Sequence, residues 1–141
     1  MHCAFLKPGR PTWAHAAACL LLAAPASAAL GAEAGGAGGG GNPVAGKAVF
    51  ARCANCHQLG PSARGGFGPQ LNGIVGRKAG STADFHYSDA LKNADFAWTE
   101  ERLRAFIQSP NRTVPGNKMR FWGLGDPRQI DDLLAYLRTQ R

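Results

Sequence analysis

"RCANCHQLG", Arg52 to Gly60, sets two cysteines two residues apart with a histidine directly after the second. Three chemistries use that spacing: half of a zinc site, a redox dithiol, and a point of covalent attachment. The supply of cysteine elsewhere separates them. The 141-residue chain has four cysteines, and the two outside this stretch, Cys3 and Cys19, lie in a segment of another kind.

That segment opens with "MHCAFLKPGRPTW", carrying Lys7 and Arg10, and continues through the apolar "AHAAACLLLAAPASAAL" to small residues at Ala26 and Ala28. A charged start, an apolar stretch and an A-x-A site describe a secretory signal peptide. It is expected over 1–28, with cleavage after Ala28 or Ala29. The rival is an uncleaved leader serving as a membrane tether. His15 and Pro25 interrupt the apolar run, which falls short of the ~20 apolar residues of a spanning helix. Cys19 sits early within the run, a poor place for lipid modification. Residues 29–43 include "GAEAGGAGGGGNP" and read as a flexible Gly-rich segment, because glycine is costly to order and buries nothing. The folded unit is expected over 44–141. At that size a domain often depends on a metal, disulfides or a large cofactor.

The whole chain carries a net charge of +7. From Ala29 onward, four lysines and ten arginines against nine carboxylates leave +5. These cations form no run or repeat that would follow a phosphate backbone, so no nucleic-acid partner is expected. An acidic protein or an anionic membrane surface fits the charge equally well.

Without the leader only Cys53 and Cys56 remain. A structural zinc wants four ligands, and neighbouring Cys56 and His57 are hard to aim at one tetrahedral ion. A thioredoxin-like dithiol wants a βαβ setting, and no strand pattern precedes Cys53. A plain disulfide has no use for His57. C-x-x-C-H as a c-type haem attachment site uses all three: two thiols reach the porphyrin edge while the histidine comes under the iron. The sixth ligand would be Met119 or His86. Met119 lies in "TVPGNKMRFWGLG", where Pro115 and Gly116 signal a turn. A lone methionine is ordinarily core filler. A loop position between Lys118 and Arg120 is a poor place for filler, and low-spin iron wants a soft ligand, so Met119 is favoured. His86 is expected to be exposed.

Around these residues the chain reads as helix and loop. "AGKAVFARC" puts Ala45, Val49, Phe50 and Cys53 on one helical face. The Gly-rich "HQLGPSARGGFGPQLNGIVGRKAGSTADF" is long for a loop in a compact domain unless it wraps a cofactor. "SDALKN" reads as a short helix capped by Ser88. Thr99 caps a helix begun by Glu100 and Glu101, with Leu103, Phe106 and Ile107 as its buried stripe and Pro110 as its stop. Asp126, Pro127 and Gln129 begin the last helix, whose stripe is Ile130, Leu133, Leu134 and Leu137.

In combination, "GKAVFARCANCH", "GPQLNGIVGRKAG", F-x-Y-S-D-A, W-T-E-E and P-N-R-T-V-P-G-N-K-M-x-F resemble the class I cytochromes c, in the branch of mitochondrial cytochrome c and bacterial cytochrome c2. The resemblance covers nearly all of Ala45 to Arg138. It implies an all-α class I cytochrome c fold, with three main helices, short helical turns and long loops around one covalently bound haem (heme c). Cys53 and Cys56 would form the thioethers, and His57 and Met119 would be the axial ligands. Pro69 would accept the second hydrogen bond of the His57 ring. Arg77, Tyr87, Trp98 and Asn117 would surround the propionates, and Phe121 would line the pocket beside Met119. Gly46 and Phe50 would cross the last helix at Leu133 and Tyr136. Phe106 stands where a tyrosine usually supports the axial sulfur, Asn117 where a threonine is usual, and Leu91 where an asparagine is common. Of the basic docking ring, Arg52, Arg112 and Lys118 match.

The implied function is a soluble periplasmic one-electron carrier, non-enzymatic and monomeric, docking on redox proteins with acidic surfaces. Two alternatives stand beside it. One is a membrane-tethered partner of a single oxidase or dehydrogenase. The other is a haem peroxidase or gas sensor with a labile sixth ligand.

Overall fold

A computed structural model describes residues 40–141, so the expected signal peptide and most of the Gly-rich segment lie outside the described residues. The described part is all helix and loop: α1 (Pro43–Phe50), α2 (Asp89–Lys92), α3 (Glu100–Gln108), α4 (Pro110–Thr113) and α5 (Pro127–Arg138). One isolated antiparallel bridge joins Lys78 to Ala97. No helix among the described residues is long and apolar enough to cross a membrane.

Local chemistry fixes the helix starts. Asn42 accepts from the backbone N–H groups of Val44 and Ala45 at 2.8 and 3.3 Å, and Pro43 supplies a first-turn residue whose N–H is not needed. α1 thus draws its cap from the stretch that composition assigns to the tether, and the Asn42 N–H donates to Asp132 at 2.7 Å. Thr99 caps α3 through Arg102 N–H at 3.1 Å, and Asp126 caps α5 through Arg128 N–H at 2.9 Å. Pro110 ends α3 as expected, but it also begins α4, since its fixed φ suits a first helical position.

α1 packs across α5, with Phe50 against Tyr136 at 5.7 Å between ring centroids. The apolar stripe of α5 supplies the centre of the core: Ile130, Leu133 and Leu134 are each 1% exposed. Leu103, Phe106 and Ile107 of α3 pack into the same cluster. Arg138 bonds Glu100 at 2.8 Å and Arg104 bonds Asp131, two part-exposed pairs tying α3 to α5. Pairs this exposed contribute about 1 kcal/mol at most. They set register more than stability.

Candidate functional site

The regular helix stops at Phe50, but its hydrogen bonding does not. Cys53 N–H bonds Phe50 at 2.8 Å and His57 N–H bonds Cys53 at 2.9 Å, so the C-x-x-C-H stretch continues past α1 through a run of tight turns. This turn brings both sulfurs and the imidazole to one cleft of about 350 Å³. Apolar walls dominate it, among them Leu71, Ile74, Leu103, Phe106 and Leu133.

His57 is held by its Nδ1, 2.7 Å from the Pro69 carbonyl oxygen. A carbonyl only accepts, so Nδ1 carries the hydrogen and the Nε2 lone pair is free. Burial pulls the His57 pKa down, which keeps the ring neutral near pH 7. Gly68 lets the chain pass the ring face, because a Cβ there would lie 2.5 Å from Cε1 of His57. Burial pushes the Cys53 thiol up to about 11, with the neighbouring Cys56 adding to the effect. A reactive dithiol needs the opposite shift. A neutral imidazole and a protonated thiol are poor signs of a redox switch.

Met119 lines the cleft together with His57, and its loop is tied by its N–H to Asn117 Oδ1 at 2.9 Å. Phe106 also lines the cleft and packs tilted against Trp98, 4.9 Å between ring centroids, so an aromatic ring without a hydroxyl stands there. His86 is exposed as expected, but it also contributes to the cleft lining.

Arg77, Tyr87 and Trp98 gather on the same cleft. The Arg77 guanidinium donates to the Asn72 and Gln70 carbonyls at 3.0 and 2.8 Å. Burial lowers its pKa, yet an arginine stays cationic at neutral pH. The Tyr87 hydroxyl pairs with Thr82 Oγ1. Two expected members stand elsewhere. The Asn117 amide donates to Val114 and Asn111 at 2.8 and 3.0 Å, so both its donor hydrogens serve its own loop and it is not among the cleft-lining residues. Phe121 packs half-buried on the core without lining the cleft. Lys118 reaches the cleft with its chain exposed. Arg52 is exposed beside Cys53, and Arg112 is exposed on α4, away from the lining.

Ser88 is the residue the sequence misread. It sits at the N-cap position of α2 but makes no side-chain cap bond. Its hydroxyl is buried in the cleft lining and has no hydrogen-bond partner. A buried orphan hydroxyl wants a partner. With a cation and a phenol on the same apolar cleft, the donor set fits a large flat apolar group bearing carboxylates, and the two thiols fit its covalent capture. A haem meets each requirement.

The cytochrome c family pattern matches residues 43–141. A cytochrome c2 of Rhodomicrobium vannielii is 48% identical over 99 residues, covering 70% of this chain and 79% of that protein. A cytochrome c2 of Agrobacterium tumefaciens is 46% identical over 95 residues, with 65% and 86% covered. The solved structure of cytochrome cH from Methylobacterium extorquens superposes with a TM-score of 0.66 at 43% identity, over 70% of this chain and 99% of that one.

Proposed function

Because the chain belongs to the cytochrome c family, we infer that it is a monohaem c-type cytochrome, a soluble one-electron carrier between redox proteins in the periplasm. The observation that carries the reading is the convergence on one apolar cleft of two thiols, a neutral imidazole held from behind, and a thioether.

Cys53 and Cys56 would hold the haem through thioethers, and His57 Nε2 and Met119 Sδ would be its axial ligands. When bound, the haem iron supplies a one-electron ferric–ferrous couple. The chain's own residues do the rest. Pro69 fixes the tautomer and rotation of His57, so that its lone pair is ready without reorganisation. The Asn117 bond to the Met119 N–H holds the loop that presents the sulfur. Phe106 offers that sulfur no hydrogen bond, which leaves its electron density undivided. Apolar walls would exclude water, and Arg77, Tyr87, Trp98 and Ser88, all on the cleft, would supply donors for the two propionates. With His57 and Met119 both holding the iron, no iron position would be left open for a substrate, which suits a carrier. Exposed Arg52 and Lys118 near the cleft, with Arg112 on α4, would steer it to acidic partner surfaces.

Acid–organic extraction of the denatured holoprotein should leave the haem on the chain, and a potentiometric titration should follow a one-electron Nernst curve. Haem that washes out, or no reversible couple, would sink the reading.

Thr82 does not line the cleft but bears on it through its hydrogen bond with Tyr87. A hydroxyl donated to Tyr87 leaves the phenol free to donate its own proton toward a propionate. Thr82→Val should therefore lower the reduction potential, as should Tyr87→Phe, because a less neutralised carboxylate favours the ferric state. The double variant should shift no further than Tyr87→Phe alone. Additive shifts would mean that the two hydroxyls act separately.

A further inference from the structure

Two aromatic side chains stand in solvent on a fold that buries or half-buries its other described aromatics: Phe67 is 92% exposed and Trp122 is 101% exposed. Burying either would contribute more than burying most residues, so their exposure calls for a reason. Both belong to the neighbourhood of the cleft. Phe67 is part of its lining, and so are Cys56, His86 and Lys118, which are exposed as well and thus form its rim. Trp122 follows Met119 by three residues, so their Cα atoms lie at most about 11 Å apart.

Slackness does not explain Trp122. Phe121 before it packs on the core, and two residues later the Leu124 N–H donates to the Ile107 carbonyl at 3.0 Å. The indole is held outward by anchored neighbours. The charges at the rim are mainly positive: Arg52, Lys118 and Arg120 are exposed and no carboxylate lines the cleft among the described residues, while the nearby Asp84 carboxylate is bonded to the Gly65 N–H at 2.7 Å.

We propose that Phe67 and Trp122 are the apolar anchors of the electron-transfer docking face, and that its partner is a redox protein presenting an apolar patch ringed by carboxylates. The proposal rests on the carrier reading above and adds a division of labour to it. Cations act at long range and set how often encounters succeed; buried aromatics act only in contact and set how long the complex lasts. Tryptophan is the residue type that most often dominates such contacts, and the surrounding polar groups then exclude water from it. A second copy of this chain is a poor occupant, since it brings the same cations to the interface. An anionic bilayer would accept both cations and an indole, and it is kept as an arm of the test.

The test is steady-state and stopped-flow oxidation of the reduced holoprotein by a purified bacterial cytochrome c oxidase across a range of ionic strength. Wild type is compared with Trp122→Ala, Phe67→Thr and Lys118→Gln. The two aromatic variants should raise KM about tenfold at every ionic strength while leaving the steepness of the salt dependence unchanged, and Trp122→Ala, which lies outside the cleft lining, should leave the reduction potential and the thermal midpoint unchanged as well. Lys118→Gln should instead flatten the salt dependence. Aromatic variants with wild-type KM throughout would overturn the proposal. So would wild-type oxidase kinetics combined with Trp122-dependent sedimentation on phosphatidylglycerol-containing vesicles, which would assign the face to a membrane. An oxidase that accepts no electron from the wild type would overturn the carrier reading, and the anchors with it.

Discussion

Gly46→Ala is expected to force α1 and α5 apart and to lower the thermal midpoint of the protein by roughly 15 °C. A Cβ at Gly46 would lie 1.9 Å from the Asp132 carbonyl oxygen, 2.5 Å from its carbon and 2.8 Å from Cβ of Tyr136. Two of these atoms are helix backbone, which no rotamer change can move. Overpacking usually costs about 1–3 kcal/mol, and a clash with backbone belongs at the upper end. Each kcal/mol shifts the midpoint of a ~100-residue domain by about 4–8 °C. Far-UV circular dichroism melts of the holoprotein would measure the shift. Gly66→Ala is the control, because a Cβ there meets nothing within 4 Å and should leave the melt unchanged. A Gly46→Ala melt matching wild type would show that the crossing tolerates a wider approach.

Met119→Ala should have the largest effect on the redox chemistry. A thioether favours the ferrous state and raises the potential. Its loss should lower the midpoint by on the order of 0.1 V, within the ~0.8 V over which axial ligands tune haem iron. The red charge-transfer band of sulfur-ligated ferric haem should disappear as well. His86 lines the same cleft and is the one other histidine there besides His57. If His86 replaced the lost sulfur, His86→Gln in the Met119→Ala background would change the spectrum again. A Met119→Ala protein with wild-type band and potential would remove Met119 from the iron.

The helices were legible because their signals are local and chemically distinct. Thr99 and Asp126 cap as their positions imply, and the i, i+3, i+4, i+7 stripe of α5 is the core. The cleft was legible at Cys53, Cys56 and His57 because few other folds use that spacing. Ser88 was misread because a cap and a hydroxyl facing a cofactor look alike beside S-D-A-L; only its burial distinguishes them. Asn117 shows how little a residue type settles alone, because an amide able to reach a propionate is equally able to brace its own loop, as its bonds to Val114 and Met119 do here. Phe67 and Trp122 are apolar letters that any pattern sends inward. Their exposure follows from anchored neighbours, which no window of sequence displays.

The packing of α1 on α5 also has a consequence for the order in which the protein can be made. The first described helix finds its partner in the last, and the Gln140 carbonyl accepts from Gly73 N–H at 2.7 Å, so the extreme C-terminal residues also brace the middle of the chain. A chain emerging N-terminus first therefore presents Cys53 and Cys56 before α1 has anything to cross. Contacts between residues so distant in sequence form slowly and late. The stretch around Cys53 and Cys56 lacks that packing for as long as α5 is missing, which would give the two sulfurs an interval for modification before the fold closes.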